Sequence, residues 1–484
     1  MVAIGTLQEA ASTGTLQEAL SAVPLQEATS AVPLAVTLLF FGLLVLLITF
    51  LALEERLHAK KSVIAGVFAI GCLLLGEILE ILPPGTVIVG GETIHLPVYI
   101  PGIDWNVLAI IMGSSLFVDI ISKSGLFTWI AIVLTKKSRG DPVPLLVYYG
   151  VMTVVFSAVL NNVTAMIIVG SLTVVSLKRL GRDDLLLGFL LIEGFLTNVG
   201  GLLTLISSVP NIIVGSAADI SFLTFFLKSG PYVLVAMIAS LWLGGRLFGI
   251  ERLTTDEERE TARNLVDGFD ENDSIESNWA FWLGAVMLVL FVVAIATASV
   301  TPYVRELGMG YVAMGFGIIM LVRYKSVADK FYQAIDWDLL GFFAGLFVVL
   351  NVMEHAAVLQ LAGSGFARIV ALGETVGSAL TLVAAALASS VTDNIPIAAV
   401  LAKMLSSHPE IGGDPASPFW WAVIFGANLG GNLTPIGSAS TLVAVTIIHK
   451  HDLTISFGGF VKKALPFAAL QIVLAVVYML AFLR

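Results

Sequence analysis

The sequence predicts an all-α polytopic membrane protein. Only 12% of its 484 residues are charged, whereas an ordinary soluble domain has roughly 25%. Its apolar runs are long enough to cross a hydrocarbon layer of about 30 Å. These runs are continuous instead of alternating, which favours helices over a membrane β-barrel, because unpaired backbone groups are costly in lipid. The composition therefore excludes a soluble globular enzyme or binding protein.

Basic residues locate the cytoplasmic ends of the predicted spans. The first two spans are expected at about 32–53 and 62–82, and Lys60 and Lys61 between them belong in the cytoplasm by the positive-inside rule. The N-terminus is therefore expected outside the plasma (inner) membrane. Residues 1–31, which contain three Leu-Gln-Glu-Ala repeats, form an extracytoplasmic tail in this interpretation.

Two features of the first half depart from simple spans. Residues 144–177 are flanked by basic clusters on both sides and interrupted by two asparagines, a pattern that predicts a re-entrant hairpin. A broken helix is expected at 185–217. The acidic segment 250–278 is expected in the cytoplasm and holds most of the net charge of −10, so that charge gives no indication of a nucleic-acid partner.

The second half repeats the first. Ile103-Asp104-Trp105 recurs 232 residues later, and the segment 197–211 recurs 230 residues later. The basic residues place the two Ile-Asp-Trp motifs on opposite sides of the membrane. The sequence therefore predicts two inverted repeats, 32–249 and 279–484, with about ten transmembrane spans in all. The second repeat then contains a hairpin at 377–405 and a broken helix at 418–448, an architecture typical of secondary transporters.

The two hairpin tips supply the first set of candidate ion-binding residues. Polar side chains are costly in lipid unless they face a cavity or bind a ligand, and here they recur at symmetry-related positions. A structural cap is the alternative for either tip alone. The candidates at the tips are Asn161, Asn162, Thr164, Thr392, Asp393 and Asn394.

Glycine-rich breaks in the two broken helices supply the second set. Paired glycines favour unwinding, which leaves backbone groups free for a ligand, although close packing through small residues is the alternative. The candidates are Asn198, Gly200, Gly201, Thr204, Asn428, Gly430, Gly431, Asn432 and Thr434.

Asp393 is the candidate for coupling to protons or cations. It is the one carboxylate at a hairpin tip, and its repeat partner is the neutral Asn161. A buried carboxylate can exchange a proton for a cation; its alternative role is a helix N-cap. Weaker candidates are Asp119, Lys123, Glu193, Glu354 and His355.

At these motifs the chain resembles the ion-transporter superfamily of arsenite permeases, P-protein permeases, D-type sodium/proton antiporters and divalent-anion/sodium symporters. The similar segments are LNNVTAM, VTDNIPIAA and GANLGGNLTPIGSASTL. The resemblance implies a scaffold domain, a moving transport domain with two opposed hairpins, and a homodimer with elevator-like motion. Asn161-Asn162 departs from the Asp-Asn of P-protein relatives, and neither tip has the Ser-Asn-Thr signature of dicarboxylate symporters.

The first hypothesis for function is a secondary transporter of a small inorganic anion or metalloid, similar to arsenite or antimonite, coupled to H⁺ or Na⁺ through Asp393. The alternative is a Na⁺/H⁺ antiporter on the same fold. Neither needs a cofactor beyond the coupling ion. The single cysteine and the absence of His-Glu-x-x-His spacing exclude a disulfide framework and a zinc hydrolase, and a lone tip carboxylate argues against an intramembrane enzyme.

Overall fold

The fold is that of a computed structural model, which describes residues 32–83, 86–89, 92–275, 277–333 and 335–483. The predicted N-terminal tail, 1–31, lies outside the described residues. Eleven helices within these ranges are long and apolar enough to cross a membrane, so the predicted all-α membrane class is confirmed. The described residues also include a small antiparallel hairpin of β1 (Thr86–Val89) and β2 (Glu92–His95) in the predicted external loop.

Ten α-helices lie among the described residues of the first half. They are α1 (Leu34–Ala52), α2 (Glu54–Leu57), α3 (Lys61–Ile78), α4 (Trp105–Ser122), α5 (Leu126–Ser138), α6 (Pro142–Val159), α7 (Asn162–Arg179), α8 (Leu186–Gly200), α9 (Val209–Ala217) and α10 (Phe222–Leu247). The apolar stretch 105–135 is therefore two helices. Gly125 separates them with a φ of 82°, and a Cβ there would lie 2.1 Å from the carbonyl oxygen of Ser274.

A charged linker and the second half follow. The linker contains α11 (Asp256–Asp267). The remaining helices are α12 (Asn278–Thr297), α13 (Val304–Arg323), α14 (Ala328–Tyr332), α15 (Trp337–His355), α16 (Val358–Val370), α17 (Gly373–Val391), α18 (Asn394–Ser406), α19 (Pro418–Gly430), α20 (Ala439–Lys450) and α21 (Phe457–Phe482).

The two halves form matching local contacts. Asp104 and Asp336, at equivalent positions, accept backbone N–H groups at the starts of α4 and α15. The indoles of Trp105 and Trp337 donate to carbonyls five residues upstream at 3.2 and 2.9 Å. Helix α15 packs on α3, and α4 packs on α13. The repeat is thus visible in the contacts, while its inversion across a membrane stays a prediction.

Candidate functional site

The two hairpin tips differ in how their first turns are capped. Between α6 and α7, the side chain of Asn161 accepts the backbone N–H of Thr164 at 2.8 Å, which is an ordinary N-cap. Asp393 occupies the same position before α18 but makes no side-chain cap hydrogen bond. The N-cap role therefore applies to the side chain of Asn161 and not to the carboxylate of Asp393.

Asp393 is ion-paired instead. Its Oδ2 accepts a hydrogen bond from the ammonium of Lys61 at the start of α3. The same ammonium lies 3.5 Å from Oε1 of Glu54. The Asp393 side chain is 10% exposed, and its second oxygen, Oδ1, is buried with no hydrogen-bond partner among the described residues. Burial raises the pKa of Glu54 against the opposing effect of Lys61, so this cluster is desolvated as well as charged.

Both broken helices end at the first glycine of their glycine pairs. Helix α8 ends at Gly200 and α9 begins at Val209; α19 ends at Gly430 and α20 begins at Ala439. Gly201 and Gly431, which follow, keep right-handed helical φ values of −58° and −57°.

Close packing explains why glycines stand at 200 and 430. A Cβ at Gly200 would lie 2.7 Å from Cα of Val154, and one at Gly430 would lie 2.2 Å from the carbonyl oxygen of Ala386. Close packing therefore accounts for the glycines at these two positions. The unwound segments are 201–208 and 431–438.

Hydrogen bonds tie each broken helix to its own hairpin. Ser157 and Ser389 both donate at 2.6 Å to carbonyls of the broken helices, those of Thr197 and Ala427. In the reverse direction, Thr204 and Thr434 both donate at 2.5 Å to the hairpins, to the carbonyls of Ala158 and Ser390. Each pair is related by the repeat, so these two predicted threonines hold the tips in place.

The two repeats meet through asparagine side chains. Asn198 donates to the hydroxyl of Ser438 at 2.9 Å, and the hydroxyl of Ser208 donates to Oδ1 of Asn428 at 2.7 Å. The offset of 230 residues that relates the asparagines also relates the serines. The polar interior is therefore built from both halves of the chain.

A cavity of about 780 Å³ opens between these elements. The predicted site residues that line it are Asn161, Asn162, Thr164, Asn198, Asp393 and Asn394. Thr392 borders a separate cavity of about 50 Å³ beside Asp393. The predicted residues that lie behind the walls are Gly200, Gly201, Thr204, Asn428, Gly430, Gly431, Asn432 and Thr434.

The described lining of the main cavity is acidic. It contains two ammonium groups, those of Lys60 and Lys61. Against them stand five carboxylates, those of Glu54, Asp119, Asp336, Asp338 and Asp393. Such a lining concentrates cations over anions.

Sequence reasoning missed several of these residues. In the sequence, Lys61 marks only the cytoplasmic side, and no pattern in the chain joins it to a carboxylate 332 positions away. Ser208 and Ser438 did carry a signal, since both lie in the repeated segment at the same offset. Gln471, which lies in the polar network behind the cavity, has no motif around it.

The weaker candidates are mostly paired. Asp119 lines the cavity but is held by Lys123 at 2.7 Å. Glu354 pairs with Lys403 at 2.6 Å. Glu193 is completely buried in α8; one of its oxygens accepts from a threonine of α7 at 2.6 Å, and the other has no partner among the described residues.

Comparisons with known proteins agree on transport. A family model described as citrate transporter matches residues 51–426. An uncharacterized transporter of Mycobacterium tuberculosis is 31% identical over 383 residues, covering 78% of this chain and 86% of that protein. The human P protein is 26% identical over 511 residues, covering 89% of this chain and 60% of the P protein.

A solved structure has a similar fold. The crystal structure of the YdaH transporter from Alcanivorax borkumensis aligns with a TM-score of 0.60. The alignment covers 87% of this chain and 98% of YdaH at 14% sequence identity. At that identity the likeness extends to the fold alone.

Proposed function

The chain belongs to the citrate transporter family, and from that premise we propose that it is a secondary active transporter that exchanges Na⁺ for H⁺ at Asp393. Family membership makes it a multi-pass membrane transporter and not an enzyme. One observation supports the exchange most directly. A carboxylate at a hairpin tip faces a large cavity while its countercharge, Lys61, comes from another part of the chain.

Three cations compete for this carboxylate. The Lys61 ammonium occupies Oδ2 in this structure, and Oδ1 has no partner within the described part of the chain. A sodium ion that uses the Asp393 oxygens must displace the ammonium, and a proton on Asp393 removes the charge that holds it. Because only one of them can neutralise the carboxylate at a time, sodium and proton binding exclude each other.

The charge of the cavity favours a cation as the transported ion. Five carboxylates face two ammonium groups among the described lining residues. A multiply charged anion such as citrate would meet repulsion there unless it entered with a bound cation. The acidic lining thus supports the antiporter, the alternative hypothesis from the sequence, over transport of a free anion.

Alternating access fits the repeated architecture. The two hairpins and two broken helices would move together as a transport domain in an elevator-type cycle, within a homodimer in the plasma membrane. The basic residues Lys60 and Lys61 line the cavity, and the positive-inside rule places them in the cytoplasm with the N-terminus outside. The cavity of this structure would then face the cytoplasm.

Fluorescence dequenching in everted vesicles tests the exchange. Wild-type protein should give a sodium-driven pH signal, and Asp393→Asn should abolish it. The matched control is Asp119→Asn, because Asp119 lines the same cavity but is already paired with Lys123. A full signal from Asp393→Asn, or equal losses from both variants, would place coupling elsewhere.

A neutral metalloid is the second candidate substrate. It corresponds to the first hypothesis from the sequence, restricted to an uncharged form of arsenite or antimonite. Hydroxyl and amide groups of Ser208, Ser438, Ser440 and Asn162 line the cavity. They could hydrogen-bond an uncharged arsenite or antimonite hydroxide without a charge penalty. Arsenite resistance in a sensitive host, with no cation-driven pH signal in vesicles, would favour this candidate over the antiporter.

A further inference from the structure

A single file of carboxamides runs from the first hairpin tip into the interior. Asn162 donates to Asn198 at 3.2 Å, Asn198 donates to Asn432 at 2.8 Å, and Asn432 donates to Gln471 at 2.7 Å. Gln471 in turn donates to the hydroxyl of Ser240 at 2.9 Å. Every link in this amide chain has the same direction, with each NH₂ group pointing away from the tip.

A backbone carbonyl fixes that direction. The NH₂ group of Asn432 also donates to the carbonyl of Phe195 at 3.0 Å, and a carbonyl can only accept. Asn432 must therefore turn its own oxygen toward Asn198. Reversing any one member of the chain would place two NH₂ groups or two oxygens against each other.

Burial makes the direction costly to break. Asn198, Asn432, Gln471 and Ser240 are all 0% exposed, so bulk solvent does not reach a reversed amide. A buried polar group left without its partner costs about 1–3 kcal/mol. The hydrogen bonds of the amide chain are therefore expected to form or break together.

The direction decides what the cavity wall presents. Asn198 uses its NH₂ group on Asn432 and Ser438, and its oxygen faces the tip, where it accepts from Asn162 and Ser440 at 3.2 and 3.1 Å. At the first tip, Asn162 thus spends its NH₂ group on Asn198, while its own oxygen accepts from Ser157 at 2.8 Å and keeps a second lone pair in the cavity that Asn162 lines. Oxygen acceptors are the ligands that sodium requires, and N–H donors would suit an anion.

We propose that Gln471 is a positioning residue that sets the cation preference of the first hairpin tip through this amide chain. The proposal rests on the proposed sodium exchange. Gln471 touches neither the cavity nor Asp393. It acts by accepting from Asn432, which keeps the Asn198 oxygen facing Asn162 and so holds the NH₂ group of Asn162 on Asn198.

The first test separates affinity from turnover. In everted vesicles, Gln471→Leu should raise the apparent KM for Na⁺ about tenfold, the equivalent of about one hydrogen bond, and should leave the maximal rate nearly unchanged. Gln471→Glu should restore the wild-type KM, because a protonated glutamic acid can accept from Asn432 and donate to Ser240. Tyr232→Phe is the control, since the hydroxyl of Tyr232 donates at 3.0 Å to the backbone carbonyl of Gln471 and not to its side chain.

The second test needs no transport. Melting temperatures of the purified full chain are compared for Asn162→Ala, Gln471→Leu and the double variant. Residues 162 and 471 share the amide chain without touching, so the two losses should be sub-additive. The control pair is Ser208→Ala with Gln471→Leu, which should be additive because Ser208 bonds Asn428 outside the chain.

The outcomes separate the two proposals. If wild-type protein gives no sodium-driven pH signal, the proposed exchange is wrong. The melting temperatures of the single and double variants then remain as the test of the amide chain. If the signal is present but Gln471→Leu keeps its KM, or Gln471→Glu fails to restore it, Gln471 does not set the cation preference. Additive losses for residues 162 and 471 would overturn the amide chain itself.

Discussion

Lys61 and Asp393 lie 332 residues apart in the chain and form an ion pair at the tip of the second hairpin. Through it, the start of α3 is fastened to the start of α18. Both side chains are largely buried, so the pair lacks the full dielectric screening that makes surface ion pairs weak. Any movement of the hairpin relative to α3 has to break this contact.

Replacing the ammonium should make the protein dependent on sodium for stability. In Lys61→Met the Asp393 carboxylate loses its countercharge, and a bound sodium ion becomes the cation that can replace it. Ligand binding at one hundred times Kd stabilises the folded state by about 2.7 kcal/mol. We therefore expect NaCl to raise the melting temperature of Lys61→Met more than that of the wild type.

Choline chloride at equal ionic strength controls for screening by salt. The double variant Lys61→Met/Asp393→Asn should lose the sodium effect, since no carboxylate remains at the tip. Equal melting shifts in NaCl and choline chloride for Lys61→Met would show that sodium does not bind at Asp393.

The repeat-related tips should respond differently to loss of their side chains. Asn161→Ala removes the hydrogen bond to the N–H of Thr164 and should cost about 1 kcal/mol of stability, as N-caps generally do. Asn161→Asp should cost little, because a carboxylate accepts the same N–H. The measurement is thermal unfolding of each variant in detergent. If Asn161→Asp were as unstable as Asn161→Ala, the cap would not account for the residue.

Alanine at Gly430 should be far more disruptive than at a loosely packed glycine. A Cβ at 430 would lie 2.2 Å from a backbone oxygen that cannot move away, whereas Gly315 in α13 has nothing within 4 Å. Gly315→Ala should be neutral or stabilise the protein by up to about 1 kcal/mol. Melting temperatures and expression of both variants check the contrast, and a stable Gly430→Ala would mean that α19 can shift away from α17.

Local patterns predicted the class and the elements, because hydropathy and charge act along the chain. The polar tips Asn161-Asn162 and Asp393-Asn394 and the glycine pairs at 200–201 and 430–431 each lie within one turn of an observed helix end. Which of these residues line the cavity, and which lie behind its wall, was not predictable. Whether Asn428 lines the cavity or lies behind its wall depends on packing between segments about 230 residues apart in the chain. The periodicity of hydrophobic residues carries no information on such contacts.

Lys61 illustrates the same limit. A lysine at the end of a span satisfies the positive-inside rule wherever its side chain points, so its pairing with Asp393 left no trace in the sequence. Gln471 is similar. It is one amide within an apolar helix, and its importance follows only from the three neighbours that it bonds through its side chain and carbonyl.

The acidic linker should detach from the helix ends as the pH falls. Lys136 donates to Glu271 at 2.6 Å, and Arg179 lies 4.7 Å from the ring centroid of Phe269. The hydrogen bond from Lys136 lowers the pKa of Glu271. A carboxyl whose pKa is lowered by docking favours the docked state above its ordinary pKa and loses that contribution as the pH falls through the lowered value.

A spin label at Glu260→Cys, an exposed position on α11, reports this docking; the native cysteine, Cys72, is buried and should resist labelling. We expect an immobile label at neutral pH, a more mobile one as the pH drops below the ordinary range of a glutamate, and a mobile one at every pH in Lys136→Met. High salt should loosen the wild type at neutral pH, because exposed ion pairs are screened. If Lys136→Met leaves the label immobile at neutral pH, the aromatic and glycine contacts hold the linker without the ion pair.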